Sequence, residues 1–239
     1  MTTQDEGQTP ENIKHNIAFF RDKFDKYSEK VKTLDTYNTI RTHVNEAIQD
    51  TTLLLDIGNG GVFDYNVELI TQIIGLDLFL DKPPTSLISP PNVILKQGSA
   101  LAVPEKNNHF DAVLMVMLIH HLIGKTCSAS IKNVMTAIDE AHRVLKPGGK
   151  MIIVESCVPS WFYHFEKLVF PITSRIIDKI LNHPATLQYS VKTLRNMLNT
   201  KFNKVEIKPI PIGRWVIIYG YKIPAILTPV NPTLFIAYK

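Results

Sequence analysis

Two carboxylates and a glycine turn stand where a ligand would be bound. Asp56 ends an apolar run that begins at Leu53, and the turn Gly58-Asn59-Gly60 follows it directly. A second apolar run begins at Gln72 and ends at Asp77. Glycine lets the backbone approach a bound molecule closely, and a carboxylate at a strand end accepts hydrogen bonds from both hydroxyls of a ribose. These residues therefore predict a nucleotide-like ligand between two strand ends.

A second set of residues has the chemistry to move a proton. His120 and His121 follow an apolar run that ends at Met117, and Glu155 ends another run. Imidazole is the usual general base near neutral pH, and a neighbouring carboxylate can orient it. We predict that His121, or failing that His120, accepts a proton with Glu155 as its partner. Because one of two adjacent histidines must point elsewhere, a capping or packing role stays open for either.

Strand, turn and helix patterns alternate through the middle of the chain and position both sets. Short apolar runs bounded by turn residues indicate strands buried on both faces, and they begin at Leu53, Gln72, Val93, Phe110 and Met151. An amphipathic helix from Ile131 to Leu145 precedes the last run and stops at Lys146-Pro-Gly-Gly149. Alternation of this kind predicts an α/β fold with a doubly wound, mostly parallel sheet.

From about Leu53 to Glu155, five motifs resemble in order those of the class I S-adenosylmethionine-dependent methyltransferases, in the branch that includes ubiquinone-pathway and sugar methyltransferases. They are Asp56-Ile-Gly-Asn-Gly60, Gly75-Leu-Asp77, Gly98-Ser-Ala100 with Val103-Pro104 and Phe110-Asp111, Leu118 to Leu122, and Arg143-Val-Leu-Lys-Pro-Gly-Gly149. The resemblance implies a seven-stranded Rossmann-like sheet and S-adenosyl-L-methionine as the cofactor. The alternative is a Rossmann-like domain that binds another nucleotide or none.

The resemblance also implies a set of cofactor contacts. These are Tyr27, Asp56, Gly58, Asn59, Gly60, Asp77, Leu78, Ser99, Ala100, Val116 and Met117. Ser99 stands where the family usually has an aspartate that accepts from the adenine amino group, and a hydroxyl accepts without charge assistance. The segment between the glycine turn and Asp77 is short, which predicts a truncated first helix. Pro83, Pro84, Pro90 and Pro91 predict an irregular connection before Val93.

We expect a single domain over residues 1–239. Its predicted parts are N-terminal helices (13–49), a cofactor-binding core (50–155), a cap inserted after the fifth strand (156–200) and closing strands (201–239). An apolar stripe with helical spacing runs through Phe20, Phe24, Tyr27, Val31 and Leu34. The resemblance implies that this segment is a lid in which Tyr27, Tyr37 or Arg41 touches the donor, and packing or solvent exposure is an equal alternative for each.

The predicted cap carries aromatic residues immediately after the fifth strand. We predict that Trp161, Phe162, Tyr163 and Phe165 bind the substrate, as the wall of a pocket for an apolar or aromatic acceptor. The alternatives are that this helix only covers the sheet, or that it meets a membrane surface that carries a lipid-like substrate. His164 and His183 are lesser catalytic candidates.

Composition narrows the class of protein. The net charge of +4 comes without a stripe of lysine and arginine, so we expect no nucleic-acid partner. Cys127 and Cys157 are the two cysteines and have no metal-ligand spacing, which favours a reducing cytoplasm and no metal. No segment is apolar enough for stable membrane insertion, and a homodimer is compatible with the chain.

Together these features predict a cytoplasmic methyltransferase that acts on a hydroxyl of an apolar or aromatic small molecule in natural-product biosynthesis. One alternative is methyl transfer to nitrogen or carbon, and another is a protein or RNA substrate. A third is a cofactor-binding protein of the same fold that acts as a cyclase or a regulator and does not methylate. An open, basic cleft would favour a macromolecular substrate, and the apolar cap speaks against it.

Overall fold

A computed structural model describes residues 34–78, 90–176, 185–218 and 221–239 of the chain. The strands are β1 (Leu53–Ile57), β2 (Gln72–Asp77), β3 (Val93–Gln97), β4 (Phe110–Val116), β5 (Leu145–Cys157), β6 (Lys204–Pro209), β7 (Trp215–Ile218), β8 (Tyr221–Pro224) and β9 (Asn231–Tyr238). The α-helices are α1 (Asp35–Ile48), α2 (Cys127–Val144), α3 (Ser160–Ile176) and α4 (Val191–Leu198). Short 3-10 helices lie at Val67–Leu69, Ile119–His121 and Ala225–Leu227.

One sheet holds seven of these strands in the order β3-β2-β1-β4-β5-β9-β6. The first five in the order are parallel, and β9 runs antiparallel to both β5 and β6. This confirms the prediction of a doubly wound, mostly parallel seven-stranded sheet. The strand order reverses between β1 and β4, and ligands of such sheets bind outside the carboxyl ends of the strands at this point. The remaining strands, β7 and β8, form a separate hairpin.

The central strands are apolar because helices cover both faces of the sheet. Leu55 of β1 and Val113 of β4 belong to the apolar cluster that also contains residues of α2 and α4. Leu54 and Leu114 point to the other face, where Ile40 of α1 packs against them. Helix α2 begins after Thr126, whose hydroxyl accepts a hydrogen bond from the Ala129 amide at 3.1 Å. These two layers fix the carboxyl edge of the sheet.

The segment after the glycine turn contains a 3-10 helix, Val67–Leu69, where an α-helix would be expected in a full-length connection. The side chain of Asn66 caps it by accepting from the Glu68 amide at 3.1 Å. The predicted truncation of the first helix is therefore confirmed. Residues 79–89, with two of the four prolines, lie outside the described residues, and so do Tyr27 and the rest of its apolar stripe before Leu34, and His183.

The segment predicted as one cap divides into two parts. Helix α3 follows β5 directly and packs one face against the sheet through Tyr163 and Phe170. Helix α4 instead belongs to the core, because Leu194 and Leu198 are fully buried there. Ser190 caps this helix by accepting from the Thr193 amide at 3.1 Å. Of the two helices that the structure describes in the predicted cap, α3 could form a lid or pocket wall and α4 could not.

Candidate active site

The glycine turn after β1 leaves the backbone open at the switch point of the sheet. Gly58, Gly60 and Gly61 all have positive φ angles, of 80°, 57° and 82°. A Cβ atom on Gly58 would lie 2.6 Å from Cδ1 of Leu118, in the segment after β4. Gly58 is therefore required both by its left-handed backbone and by this close approach. The turn forms a cradle that a side chain would fill.

The carboxylate of Asp77 lies at the tip of β2 and is tied to the same turn. Its Oδ2 accepts a hydrogen bond from the Gly60 amide at 2.7 Å, and the residue is buried. The carbonyl of Asp77 also accepts from the Gly98 amide at 2.9 Å, which joins the end of β2 to the turn after β3. The structure thus brings together the two strand-end carboxylates and the glycine turn that the sequence predicts as one site.

The other strand-end carboxylate, Asp56, is almost fully buried. Its Oδ2 accepts from Asn59 Nδ2 and from the Tyr65 hydroxyl, both at 3.0 Å. Burial raises the pKa of Asp56 to about 7, although these two hydrogen bonds act in the opposite direction. Burial and the neighbouring carboxylate also raise the pKa of Tyr65, so its hydroxyl stays a donor. A cation bound here would favour the ionised form of Asp56.

The contact with Glu155 is made by His120, and not by the His121 that the sequence favours as its partner. Proton acceptance by either histidine stays a prediction. Nδ1 of His120 lies 2.6 Å from Oε1 of the fully buried Glu155, and Oε2 accepts from the His120 amide at 3.2 Å. Successive side chains of a 3-10 helix point about 120° apart, so His120 and His121 of the 3-10 helix at 119–121 face different directions. The ring of His121 instead lies against that of His120, with centroids 4.1 Å apart.

The contact with Glu155 determines which nitrogen of His120 can act as a base. A carboxylate only accepts hydrogen bonds, so Nδ1 carries the proton and Nε2 is left as the acceptor. Oε1 of Glu155 also accepts from the Ser156 amide at 2.7 Å, which holds the carboxylate in place. The His120 side chain is 12% exposed while that of Glu155 is 0% exposed, so the imidazole reaches the site and the carboxylate stays behind it.

A second carboxylate, Glu166 of α3, stands near His120 and was not found from the sequence. Its Oε2 accepts from the Gln188 amide at 3.1 Å, and the adjacent Leu187 amide donates to the His120 carbonyl at 3.1 Å. Burial raises the pKa of Glu166 to about 7, while the Gln188 amide and His120 act against the rise. Residues 187–188 therefore link α3 to the His120 segment.

The remaining predicted cofactor residues lie along the same edge. Ser99 Oγ accepts from the Leu101 amide at 3.1 Å and closes the turn after β3, next to the buried Ala100. Leu78 directly follows β2. Val116 ends β4, and Met117 has a left-handed backbone with φ of 52° while its amide donates to the Val154 carbonyl at 2.8 Å. Their contacts with a cofactor stay predictions.

The four predicted substrate residues on α3 do not share one environment. Tyr163 is buried, with its ring centroid 5.9 Å from that of Tyr189, and Phe162 is half-buried against the core. Trp161 is 68% exposed and Phe165 is 56% exposed. The structure therefore separates an inner pair, which packs, from an outer pair, which faces solvent.

The described part of the chain has neither a metal-ligating cluster nor a membrane-spanning helix. No group of three or more histidine, cysteine, aspartate or glutamate side chains there could hold a metal ion. Likewise, no helix within the described ranges is long and apolar enough to span a membrane.

Comparisons with known proteins agree with this geometry. Residues 55–153 match a family model described as a methyltransferase domain. The demethylmenaquinone methyltransferase of Oceanobacillus iheyensis is 30% identical over 172 residues, which are 63% of this chain and 67% of the relative. Among solved structures, an S-adenosylmethionine-dependent methyltransferase of Thermotoga maritima superposes with a TM-score of 0.62 at 15% identity, over 94% of this chain and 99% of that one. The N-methyltransferase NodS of Bradyrhizobium japonicum, solved with S-adenosyl-L-homocysteine, gives 0.58 at 12% identity, over 88% and 90%.

A seven-stranded sheet of this order, with a glycine turn and two strand-end carboxylates at its switch point, defines a nucleotide-binding enzyme of the doubly wound class. The chain belongs to the class I S-adenosylmethionine-dependent methyltransferases. The residues present fit this cofactor, because the turn has no Cβ at Gly58 and a buried carboxylate, Asp77, stands at the tip of β2. S-adenosylmethionine is accordingly the methyl donor of this enzyme.

Proposed function

We propose that the chain methylates an apolar aromatic small molecule that carries an ionisable hydroxyl, of the demethylated quinol type. The observation that carries the proposal is the pair of His120 and buried Glu155 at the carboxyl edge, with Nδ1 and Oε1 2.6 Å apart. The relative from Oceanobacillus iheyensis, a demethylmenaquinone methyltransferase, supports an acceptor of this class. A role in natural-product biosynthesis stays a prediction.

Bound S-adenosylmethionine supplies an already activated methyl group, so the protein has to align the acceptor and remove a proton. The donor would be held by Asp56, Gly58, Asn59, Gly60, Asp77, Leu78, Ser99, Ala100, Val116 and Met117. His120 Nε2 accepts the hydroxyl proton of the acceptor. Glu155 keeps the ring oriented and stabilises the imidazolium that forms.

Ionisation of an aromatic hydroxyl spreads negative charge over the oxygen and the adjacent ring carbons. The same base therefore serves transfer to oxygen, which the sequence predicts, and transfer to carbon. We favour the ring carbon next to the ionised hydroxyl, because demethylmenaquinone in the name of the relative is a quinone whose missing methyl group belongs on the ring. The first step, loss of the hydroxyl proton to His120, is the same for both atoms. After transfer to carbon, the methylated ring carbon also loses its hydrogen as a proton and the oxygen regains one, so both hydroxyls are restored.

Product analysis tests this proposal directly. The purified chain is incubated with S-adenosylmethionine and a demethylnaphthoquinol, and S-adenosylhomocysteine and the methylated product are measured. We expect a product that keeps both exchangeable hydroxyl protons, whereas transfer to oxygen would remove one. The matched control is the same ring with both hydroxyls replaced by methoxy groups, which should not react. Donor binding without S-adenosylhomocysteine formation for any hydroxyaromatic acceptor would instead favour the cyclase or regulatory alternative.

The buried carboxylate of Asp56 predicts a pH dependence of donor binding. Its pKa is raised to about 7, so the group is largely protonated at lower pH. A cationic donor favours the ionised carboxylate, so binding below this pKa must release a proton. Affinity should therefore rise with pH, by up to about tenfold per unit, and level off above the pKa.

Calorimetry of donor binding across a pH series measures this effect. The matched variant is Asp56→Asn, which keeps the size of the side chain and removes the titration, so its affinity should be lower and nearly independent of pH. An unchanged pH dependence in Asp56→Asn would assign the effect to another group. A flat profile in the unmodified protein would contradict the prediction outright.

A further inference from the structure

Exposed apolar side chains are concentrated in two short parts of the described chain. The described residues include nine large hydrophobic side chains that are exposed to solvent. Seven of the nine lie on α3 or on the segment 215–227. The seven are Trp161, Phe165, Leu168, Trp215, Tyr221, Ile226 and Leu227. Single exposed apolar residues are ordinary on protein surfaces, but clusters mark interaction sites. We call these seven residues the apolar rim.

Both parts of the rim lie at the edge of the sheet that carries the active site. Helix α3 begins just after β5 ends at Cys157, and Cys157 pairs with Asn231 at the start of β9. The segment 215–227 lies in the connection from β6 to β9, whose paired ends are Pro209 and Thr233. Because β9 is antiparallel to β5, this connection also lies at the carboxyl edge.

The two parts stand on opposite faces of the sheet. Helix α3 packs with α2 and α4 on one face, through Tyr163 and Phe170. The connection before β7 packs on the other face, where Ile210 joins the cluster of α1 and the Gly213 amide donates to Thr36 Oγ1 at 2.9 Å. A flat surface pressed against the carboxyl edge would therefore meet the rim on both sides of the active site.

The rim is not needed to complete the core. Trp161, Phe165 and Leu168 are spaced four and three residues apart, which places them on one side of α3. Tyr163 and Phe170 already bury the other side against the sheet. In the 3-10 helix Ala225–Leu227, Ile226 is 92% exposed and Leu227 is 73% exposed. These side chains contribute little to the burial that stabilises the fold, so their exposure calls for a partner.

The charges around the rim are basic. Residues 208–233, which span the connection from β6 to β9, contain Lys208, Arg214 and Lys222 and no aspartate or glutamate. The Nζ atom of Lys222 lies 5.5 Å from the ring centroid of Trp215, and Lys167 is exposed beside Leu168 on α3. The neighbouring acid, Glu166, is held inward by the Gln188 amide. Indole rings with nearby basic side chains are typical of surfaces that lie at the boundary of an anionic lipid bilayer.

A groove continues the rim at the hairpin. It has a volume of about 400 Å³ and a mainly apolar lining, and Arg214 is one of its lining residues. Among its lining residues are Ile212, Ile226 and Val230. A lipid with an apolar tail and an anionic or polar head group matches this combination of surfaces.

We propose that the apolar rim docks the enzyme on an anionic lipid bilayer, so that an apolar acceptor enters the active site from the membrane. The proposed function explains why this surface borders the active site, and docking itself rests on the rim and its charges. A second copy of the chain is less well matched, because a twofold contact through the rim would bring its basic side chains together.

Flotation of the full chain with phosphatidylcholine vesicles, with and without phosphatidylserine, tests the proposal. We expect binding that requires phosphatidylserine and weakens with salt. Leu168→Ser, and Ile226→Ser combined with Leu227→Ser, should each lower vesicle binding by about tenfold or more, because a buried Leu or Ile side chain contributes strongly to apolar transfer. Lys222→Glu should reduce the phosphatidylserine dependence several-fold.

The chain offers a matched control in Leu69→Ser combined with Ile94→Ser, since these exposed apolar residues lie outside the rim. This control should bind vesicles as the unmodified chain does, and circular dichroism with donor calorimetry should show that all variants are folded. Equal vesicle binding by every variant, or none by the unmodified chain, would overturn the proposal. Sedimentation that shows rim-dependent self-association without vesicle binding would overturn it in favour of a homodimer surface.

The two proposals can fail separately. Vesicle binding is measured without donor or acceptor, so a chain that binds vesicles and does not methylate the naphthoquinol contradicts the proposed function alone. A chain that methylates the naphthoquinol and ignores vesicles contradicts docking alone.

Discussion

Replacing His120 by asparagine should lower turnover by about a hundred- to ten-thousand-fold while donor affinity stays unchanged. The variant keeps the backbone amide that donates to Glu155 Oε2 at 3.2 Å, so the local fold is held as before. It loses Nε2, the nitrogen that we expect to accept the hydroxyl proton of the acceptor. Single-turnover rates with saturating donor, together with calorimetry of S-adenosylhomocysteine binding, measure the two effects separately.

His121→Asn is the matched control for this prediction. The ring of His121 lies against that of His120, and it is His120 whose Nδ1 contacts Glu155, so we expect a much smaller loss of turnover. Glu155→Gln should fall between the two, because a carboxamide can hold Nδ1 but cannot stabilise an imidazolium by charge. A larger loss in His121→Asn than in His120→Asn would reverse the assignment. Full activity in all three variants would leave alignment as the source of catalysis.

A series of acceptors separates a base from a residue that only maintains structure. The more acidic the aromatic hydroxyl, the less its reaction depends on a base, so the loss caused by His120→Asn should shrink along the series. A structural role for His120 would lower turnover equally for every acceptor. This dependence on acceptor acidity is therefore the result that assigns proton transfer to His120.

Local features of the site were predictable because the chain encodes them over a few residues. The glycine turn is one example: each of its glycines has a backbone conformation that other residues rarely adopt. The strand-end carboxylates are another, since a buried strand must end where its apolar run ends. The truncated first helix also followed from the length of the segment before Asp77.

Features that depend on packing between distant segments were not predictable. The choice between His120 and His121 depends on the turn of one 3-10 helix relative to β5, which residue type does not reveal. Tyr65 reaches Asp56 from an irregular segment, and Glu166 reaches the site from α3, through contacts that have no local signature. The apolar spacing of α3 indicates a helix but does not reveal that one side faces the core and the other faces solvent.

Replacing Asp77 should cause a large loss of donor affinity, because its carboxylate is expected to bind the ribose of the donor. Asp77→Ala removes the partner of the Gly60 amide, at 2.7 Å, together with the proposed bonds to the ribose hydroxyls. A hydrogen bond to a charged group contributes about 1.5–3 kcal/mol, so donor affinity should fall by about tenfold or more for each bond lost. Calorimetry of S-adenosylhomocysteine binding measures the loss.

Asp77→Asn separates the two roles of this carboxylate. The amide oxygen of asparagine can still accept from Gly60, so the glycine turn is retained and only the charge is lost. Comparing S-adenosylhomocysteine with its 2′-deoxy analogue then closes a thermodynamic cycle. If Asp77 binds the ribose, the substitution weakens the intact ligand far more than the deoxy analogue. Equal losses for both ligands would mean that Asp77 acts by holding the turn, and unchanged affinity in a folded Asp77→Asn variant would contradict both roles.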